Sequence, residues 1–262
     1  MNWFQIKEYI KYRLKTGHWK GFGVHSPFVF EFVNIVAREK RPYYAFAKIE
    51  AWRESLRKSQ VRIEVNDWGA GSKINNSSQR SISKIVRQAA LPKKYGELLF
   101  RMVERYKLRN ILELGTSLGM STLYLALPNS NAKIITLEGS TTLSEFATRT
   151  FQEMDAKNIE LIQGNFDETL LKSIKTLPSL DLVFFDGNHI KEPTLRYFHS
   201  CLKGVNNNSI FVFDDIHWSK EMHQAWNEII QHPDVTISVD LFRMGIVFFR
   251  KESKKQHFTI RF

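Results

Sequence analysis

Short apolar runs alternate with longer amphipathic segments over the C-terminal part of the chain. Polar residues bound each run, and the segments between the runs have the length and the apolar spacing of helices. Buried parallel strands are apolar on both faces and are joined by crossover helices. The pattern therefore predicts a doubly wound α/β fold, with parallel strands at NILEL (110–114), KIITLE (133–138), IELIQG (159–164), DLVFFD (181–186) and SIFVFDD (209–215).

The last two apolar runs break this rhythm. They are VTISVDL (235–241) and MGIVFFRK (244–251), and only the residues around Phe242 and Arg243 separate them. Parallel strands need a long crossover connection, so two strands this close must pair antiparallel. We expect a mostly parallel, seven-stranded, Rossmann-like sheet with an antiparallel hairpin at its C-terminal end.

The first part of the chain has mainly helical periodicity. Its helical segments lie within residues 3–14, 27–39, 45–59 and 82–89, and one short strand candidate, VRIEVND (61–67), interrupts them. We expect residues 1–92 to form a mainly helical cap and residues 93–262 to form the second domain, which opens with the helix KKYGELLFRMVERYK (93–107).

The charge of the chain is concentrated in its first part. Residues 1–110 carry 23 Lys and Arg against 9 Asp and Glu, whereas residues 111–262 carry 15 against 18. A basic cap can attract phosphate, carboxylate, nucleic acid or an anionic membrane. Because the basic residues are scattered, solvated helix faces explain the same numbers.

Cysteine content and hydropathy limit the class of protein. A single cysteine, Cys201, excludes an internal disulfide and a cysteine-based metal cluster, and it suits a reducing compartment. The N-terminal segment lacks the apolar core of a signal peptide, and no apolar run is long enough to span a bilayer. We expect a cytoplasmic protein without a membrane span, and the sequence leaves monomer and homo-oligomer both open.

A glycine-containing loop follows the first of the predicted parallel strands. In ILELGTSLGMST (111–122) a strand ends, the loop turns, and a helix begins. Glycine lets the backbone turn tightly and approach a ligand closely, and a helix N-terminus presents N–H groups to an anion. The candidate cofactor-binding residues of this loop are Glu113, Gly115, Thr116, Gly119 and Ser121.

Two further strand ends complete a nucleotide-binding pattern. Glu138, followed by Gly139, ends the second predicted strand, where a carboxylate can accept hydrogen bonds from both hydroxyls of a ribose. Asn165 and Phe166 follow the third strand, where Asn can bind an exocyclic amine and Phe can cover a ring. A solvated strand-end charge is the structural alternative for Glu138.

These motifs together resemble a known group. Residues 93–250 resemble the O-methyltransferase branch of the class I S-adenosylmethionine-dependent methyltransferases, which includes catechol O-methyltransferase and the caffeoyl-CoA enzymes. The resemblance rests on the KYGELL helix, ELGTSLGMST, TLE and the acidic ends of the fourth and fifth strands. It implies S-adenosylmethionine as the cofactor and a small-molecule hydroxyl as the methyl acceptor.

The resemblance also implies a metal site. In the family the fourth strand ends Asp-x-x-Lys, and the fifth ends Asp-Asn, with the aspartates and the asparagine as metal ligands. The matching residues here are Asp186 with His189, in a subgroup-like Asp-Gly-x-His form, and Asp214 with Asp215. We therefore expect Asp186, Asp214 and Asp215 to bind Mg²⁺, Mn²⁺ or Ca²⁺, with Asp186 also near the cofactor.

Elementary chemistry supports part of this assignment. Three carboxylates at neighbouring strand ends need a cation to stay ionised, and oxygen ligands favour Mg²⁺ or Ca²⁺ over zinc. His189, with an ordinary pKa of about 6.5, can act as the base that deprotonates the acceptor. The alternatives are that Asp215 caps the next helix, that His189 only bonds to Asp186, and that His217 is the base.

Two other functions compete with small-molecule O-methylation. A nucleic-acid methyltransferase would use the basic cap to hold phosphates; the segment after the fourth strand, Asp186-Gly-Asn-His, lacks the Asn/Asp-Pro-Pro-aromatic motif of base-amino methylation. A non-catalytic binding protein would retain the fold, but the intact glycine loop with Glu138 argues against it.

A second glycine-containing stretch, NDWGAGSK (66–73), precedes the first by some forty residues. The polar segment after it is unsuited to packing as the first helix of a parallel sheet, so we do not expect it to bind the cofactor. It is either a tight turn after the lone strand of the cap or a mobile flap, in which Lys73 and Arg80 could meet an acidic substrate.

Overall fold

A computed structural model describes residues 3–16, 25–66 and 77–262. Its α-helices are α1 (Trp3–Lys15), α2 (Pro27–Glu31), α3 (Tyr44–Lys58), α4 (Ile82–Gln88), α5 (Lys93–Tyr106), α6 (Met120–Ala126), α7 (Thr141–Glu153), α8 (Phe166–Lys175), α9 (Lys191–Cys201) and α10 (Lys220–Gln231). Its strands are β1 (Arg62–Asn66), β2 (Ser77–Ser81), β3 (Asn110–Leu114), β4 (Lys133–Glu138), β5 (Ile159–Gln163), β6 (Leu180–Phe185), β7 (Val205–Phe213), β8 (Ile237–Asp240), β9 (Gly245–Phe248) and β10 (Gln256–Thr259). A π-helix (Phe32–Ala37) continues α2, and a 3₁₀ turn (Leu202–Gly204) follows α9.

The chain divides into two compact units. The middle unit is Lys40–Leu177, and the second unit, here called the terminal unit, combines Met1–Glu39 with Pro178–Phe262. The predicted boundary between residues 92 and 93 separates a cap from the second domain, and it does not coincide with the limits of these compact units. It stays a prediction.

In the middle unit three strands pair in parallel, β3 with β4 and β4 with β5. The apolar side chains of β3 and β4 are buried, as the continuous apolar runs predict, whereas those of β5 are only partly buried. Helix α3 is tied to α6 by a hydrogen bond of 2.7 Å from the Tyr124 hydroxyl to Glu50 Oε1. The ring of Tyr124 lies so close to Gly96 of α5 that a Cβ there would be 2.4 Å from it, so glycine is required.

The strand candidate of the predicted cap is present but is not a lone strand. β1 pairs antiparallel with β2, in a register that sets Asn66 opposite Ser77. The expectation of a lone strand was wrong because the polar sequence of β2 reads as a loop. The stretch of the second glycine motif from Asp67 to Lys73 lies outside the described residues, so its interpretation as turn or flap stays a prediction.

In the terminal unit the strand order is β6, β7, β9, β8, β10. β6 and β7 are parallel, and β9 runs antiparallel to both of its neighbours, β7 and β8. The predicted antiparallel hairpin is thus confirmed. Strand β10, parallel to β8, is an eighth strand beyond the predicted seven (β3 to β9).

Helix α1 packs within this same unit. Its Gln5 side chain donates a hydrogen bond of 2.9 Å to the carbonyl of Trp218, and its Tyr12 hydroxyl donates one of 2.6 Å to the carbonyl of Ile260. The rings of Tyr9 and Tyr12 contact Phe242, in the turn between β8 and β9.

These elements confirm the predicted fold class. It is mixed α/β, with mostly parallel strands and antiparallel strands at the C-terminal end. No described helix combines the length and the hydropathy that crossing a membrane requires. Cys201 is fully buried at the end of α9.

Candidate active site

The glycine loop between β3 and α6 has an unusual backbone. Gly115 has a φ of 104°, Ser117 of 48° and Gly119 of 81°, so three of five successive residues occupy the left-handed half of φ space. Gly119 is also tightly packed, since a Cβ there would lie 2.6 Å from the ring of Phe151. The sequence therefore needs glycine at position 119 for both conformation and space.

Glu138 connects this loop to the end of β4. Its Oε2 accepts a hydrogen bond of 2.8 Å from the Ser117 backbone N–H, and its Oε1 accepts one of 2.9 Å from the Ser140 N–H. Burial raises the pKa of Glu138, and the backbone hydrogen bonds of Ser140 and Ser117 oppose that shift. The carboxylate is fixed in orientation, and each oxygen keeps a second lone pair that can accept a further hydrogen bond.

Glu113 lies beneath the loop and is fully buried. Its Oε2 accepts hydrogen bonds from the hydroxyls of Thr122 (2.5 Å) and Thr136 (2.7 Å), and the Thr136 hydroxyl also contacts that of Thr116 at 2.6 Å. Burial raises the pKa of Glu113 to about 7, against the opposing effect of the hydroxyl hydrogen bonds. Glu113 and Thr116 thus hold β3, β4 and α6 together.

The other predicted cofactor residues of the middle unit lie at three places. Ser121 is buried in the first turn of α6, and Gly139 follows β4 and is half-buried. Asn165 is the N-cap of α8, where its Oδ1 accepts a hydrogen bond of 3.0 Å from the Asp167 N–H. Phe166 is the first residue of that helix and is partly exposed.

The terminal unit contains the predicted acid–base pair. Asp186 follows β6, and its Oδ1 lies 3.7 Å from His189 Nε2. That distance is too long for a direct hydrogen bond. Burial lowers the pKa of His189, and the positive charge of Arg243 acts in the same direction while Asp214 opposes it. His189 is therefore neutral near pH 7 and able to accept a proton.

The two aspartates after β7 share an arginine that the sequence analysis missed. Arg243 Nη2 lies 2.7 Å from Asp214 Oδ2, and Arg243 Nε lies 3.0 Å from Asp214 Oδ1. The same Nε is 3.5 Å from Asp215 Oδ1. Burial, together with repulsion by Asp214, raises the pKa of Asp215 to about 7, while Arg243 opposes the shift.

This arrangement does not fit a divalent cation at Asp214. The carboxylate is completely buried, and the guanidinium binds both of its oxygens. A residue of this chain, Arg243, places a positive charge beside Asp214 and Asp215. That Asp186, Asp214 and Asp215 together bind a metal stays a prediction.

Arg243 lies in the turn between β8 and β9, where no motif marks it. The sequence gives one indication of its role, which is that the hairpin turn carries a basic residue. His217, the competing candidate for the base, is engaged elsewhere: its Nε2 lies 2.9 Å from Asp240 Oδ2, and its Nδ1 lies 3.1 Å from His223 Nδ1.

Part of the chain matches a known sequence family, and its fold resembles that of solved methyltransferases. A family described as a methyltransferase domain matches residues 112–216. An uncharacterised protein of Acanthamoeba polyphaga mimivirus is 34% identical over 70 residues, which are 25% of this chain and 32% of that protein. The chain thus matches about a third of the length of this relative.

Solved methyltransferases resemble the chain over most of its length. A Podospora anserina methyltransferase with bound S-adenosylhomocysteine (SAH) has a TM-score of 0.60 at 15% identity, covering 86% of this chain and 97% of that one. The O-methyltransferase from Bacillus cereus in complex with SAH has a TM-score of 0.55 at 16% identity, covering 90% and 99%.

The O-methyltransferase TomG from Streptomyces achromogenes, which is involved in tomaymycin synthesis and was solved with S-adenosylmethionine, has a TM-score of 0.56 at 18% identity, covering 90% and 99%. At these identities the likeness concerns the fold. The chain thus has the fold that these solved O-methyltransferases share, and its residues 112–216 match the methyltransferase-domain family.

Proposed function

We propose that this protein transfers a methyl group from S-adenosylmethionine to a hydroxyl of a small molecule. The observation that carries the proposal is the Glu138 carboxylate, which Ser117 and Ser140 hold in a fixed orientation at the end of β4, beside a glycine loop. A strand-end carboxylate oriented in this way can accept hydrogen bonds from the two hydroxyls of a ribose.

The remaining cofactor contacts are assigned to the glycine loop, to α6 and to the start of α8. The strained backbone of Gly115 to Gly119 lets the main chain approach the methionine end of the cofactor closely. Asn165 and Phe166 are assigned to the adenine, and Ser121 to the carboxylate of the methionine. Because Glu113 is enclosed by threonine hydroxyls, we assign it the positioning of the loop in place of a direct contact.

The cofactor supplies an activated methyl group, so the protein must align the acceptor and remove its proton. We assign proton removal to His189, whose pKa is lowered by burial. Asp186, whose Oδ1 lies 3.7 Å from His189 Nε2, stabilises the imidazolium that forms through its negative charge. Arg243 binds both oxygens of Asp214 and so places a positive charge beside that carboxylate, without a metal.

The proposal also covers the charge of the methyl acceptor and the cellular compartment of the protein. A basic first half of the chain favours an acidic acceptor. The buried, unpaired Cys201 is consistent with a reducing compartment such as the cytoplasm. No observation on the described residues favours the nucleic-acid alternative, and the oligomeric state is left open.

Calorimetry with S-adenosylmethionine, on protein first treated with EDTA, tests the cofactor assignment. We expect one binding site per chain. Its affinity for S-adenosylmethionine should not change when about 5 mM Mg²⁺ or Mn²⁺, enough to saturate a typical protein Mg²⁺ site, is added. Absence of binding would remove the proposed function. Binding that required the metal would restore the metal hypothesis and overturn the role given to Arg243.

Transfer of a labelled methyl group tests the acceptor class. Neutral catechols, acidic catechols such as 3,4-dihydroxybenzoate, and a structured RNA are offered in parallel at equal concentration. Methylation of a catechol supports the proposal, with faster transfer to the acid supporting the acidic preference. Methylation of the RNA alone would replace the proposal with the nucleic-acid alternative.

A further inference from the structure

Three potential metal ligands meet in the terminal unit, apart from the residues assigned to methyl transfer. Glu8 of α1, His217 of the segment after β7, and His223 of the first turn of α10 each offer a ligand atom, and these atoms lie within 4.8 Å of one another. Glu8 and His217 are buried, and His223 is half-buried. The residues come from three separate elements, so only the fold brings them together.

The imidazoles of His217 and His223 approach each other through their Nδ1 atoms. His217 Nδ1 lies 3.1 Å from His223 Nδ1. In a tetrahedral zinc site two ligand nitrogens, each about 2.0–2.1 Å from the metal, are roughly 3.3 Å apart. The observed separation therefore needs to change by only a few tenths of an ångström to accommodate an ion between these nitrogens.

Asp240 selects the tautomer of His217. Its Oδ2 lies 2.9 Å from His217 Nε2, and its Oδ1 accepts a hydrogen bond of 2.7 Å from the Phe242 N–H. A carboxylate only accepts, so His217 Nε2 carries the proton and, in the neutral imidazole, Nδ1 carries the lone pair. Metal-bound histidines commonly donate their second N–H to a carboxylate in just this way.

Packing holds both rings in place. The ring of Phe242 stacks on His217, with centroids 5.2 Å apart and planes 12° apart, and the ring of Phe4 contacts His223 edge-on. Burial and the neighbouring His217 lower the pKa of His223, which favours the neutral form that a metal requires. The helix α1 that carries Glu8 is anchored next to the histidines by the hydrogen bond from Gln5 to Trp218.

Glu8 has a competing partner that can move away. Its Oε1 accepts a hydrogen bond of 2.6 Å from Lys11 Nζ, and the Lys11 side chain is 50% exposed. Solvent can therefore receive the ammonium group when a cation takes its place. The carboxylate must approach the histidines by up to about 1.5 Å to reach ligand spacing, which a side-chain rotation can supply.

We propose that Glu8, His217 and His223 bind a transition-metal ion, with Zn²⁺ the preferred one, and that this ion fastens α1 to the segment after β7. Two imidazole nitrogens and one carboxylate are a ligand set suited to zinc, whereas Mg²⁺ prefers oxygen ligands alone. Three protein ligands leave a fourth position for water.

The test uses the full chain after treatment with EDTA and dialysis. Zn²⁺ is titrated by calorimetry, and bound metal is counted by mass spectrometry after dialysis. We expect one equivalent of Zn²⁺, an increase in melting temperature with Zn²⁺, and no comparable binding of Mg²⁺. A Co²⁺-loaded sample should show the intense visible absorption of a four-coordinate site.

Variants separate this site from adventitious binding to surface histidines. We expect His223→Gln and Glu8→Gln each to weaken Zn²⁺ binding at least tenfold, and Asp240→Asn, which acts through His217, to weaken it about tenfold. Lys11→Ala should strengthen binding. The matched control is His199→Gln, an exposed histidine of α9, which should leave the affinity unchanged.

Two outcomes would overturn the proposal. One is the absence of stoichiometric Zn²⁺ binding to the wild-type chain, which would leave the pair of histidines as a hydrogen-bonded chain ending at Asp240. The other is binding that His223→Gln leaves unchanged while the variant melts as cooperatively as the wild type in EDTA. A loss of binding by His223→Gln in a cooperatively folded variant supports it.

Discussion

The guanidinium of Arg243 binds the Asp214 carboxylate through two nitrogens, with Nη2–Oδ2 and Nε–Oδ1 distances of 2.7 and 3.0 Å. Asp214 is fully buried and Arg243 is largely buried, so water screens this ion pair little. A buried pair of this kind contributes little net stability as a pair, but either partner alone is an uncompensated charge.

Replacing Arg243 with leucine should therefore destabilise the protein by roughly 3–5 kcal/mol. Chemical denaturation measures the change in the free energy of unfolding. The double variant Arg243→Leu with Asp214→Asn should recover part of the loss, because it no longer buries an isolated charge. The comparison variant is Arg57→Leu, which removes an exposed ion pair with Glu54 and should change stability by about 0–1 kcal/mol. Equal losses in the two single variants would contradict the argument.

The strands could be predicted because buried parallel strands leave a strong signal. The runs at 110–114 and 133–138 coincide with β3 and β4, and the hairpin of β8 and β9 follows from its short connection. Strand β10 was missed because QHFT is short and half polar, and its only evidence is its pairing with β8. Strand β2 was missed for a similar reason, since it is rich in serine.

The candidate site was predictable where a local motif carries it. The glycine loop and Glu138 lie next to strand ends, and a strand end has a defined place in this fold. Arg243 could not be found this way, because its partner Asp214 is 29 residues earlier in the chain and the turn that carries Arg243 has no sequence motif. Glu8 lies more than 200 residues from the histidines that it approaches, and only the packing of α1 brings them close.

Removing the charge of Glu138 should reduce cofactor affinity. The variant Glu138→Gln loses at least one charge-assisted hydrogen bond to a ribose hydroxyl, and it weakens the bond from the Ser117 N–H. We expect S-adenosylmethionine to bind about 10–100-fold more weakly, corresponding to roughly 1.5–3 kcal/mol. Calorimetry measures the dissociation constant.

The control for this variant is Glu160→Gln, on the neighbouring strand β5. Glu160 is half-exposed and pairs with Lys133, so its replacement should leave the affinity for the cofactor unchanged. If Glu138→Gln bound S-adenosylmethionine as tightly as this control, the assignment of the ribose to Glu138 would be wrong.

A methyl group at position 119 should distort the cofactor loop. Gly119→Ala meets a φ of 81° that costs an L-residue about 1–2 kcal/mol, and its Cβ would lie 2.6 Å from Phe151. We expect a lower melting temperature and about tenfold or more weaker cofactor binding, because the loop would shift by about an ångström.

A second substitution separates the two causes. In Gly119→Ala with Phe151→Leu the clash is relieved while the backbone strain remains. Stability should recover in part, and cofactor affinity should stay low. Full recovery of affinity in the double variant would show that packing alone, and not the left-handed backbone, is what the loop requires of Gly119.

The buried Glu113 should make stability depend on pH. Burial raises its pKa from 4.5 to about 7 in the folded protein. Its stabilising contribution is therefore complete below pH 4.5 and is lost as the pH rises through 7, because the folded state then has to bury a carboxylate. The full loss is roughly 3 kcal/mol at about 1.4 kcal/mol per pKa unit.

The variant Glu113→Gln cannot ionise, and its amide oxygen can still accept hydrogen bonds from the hydroxyls of Thr122 and Thr136. The difference in unfolding free energy between this variant and the wild type should favour the variant more at pH 8 than at pH 5. A plot of the variant's unfolding free energy against pH should therefore be flatter between these values. Glu160→Gln, which removes an exposed carboxylate, should leave that slope unchanged. An identical slope in the wild type and Glu113→Gln would mean that the carboxylate ionises in the folded protein near its ordinary pKa, and that its hydroxyl hydrogen bonds fully offset its burial.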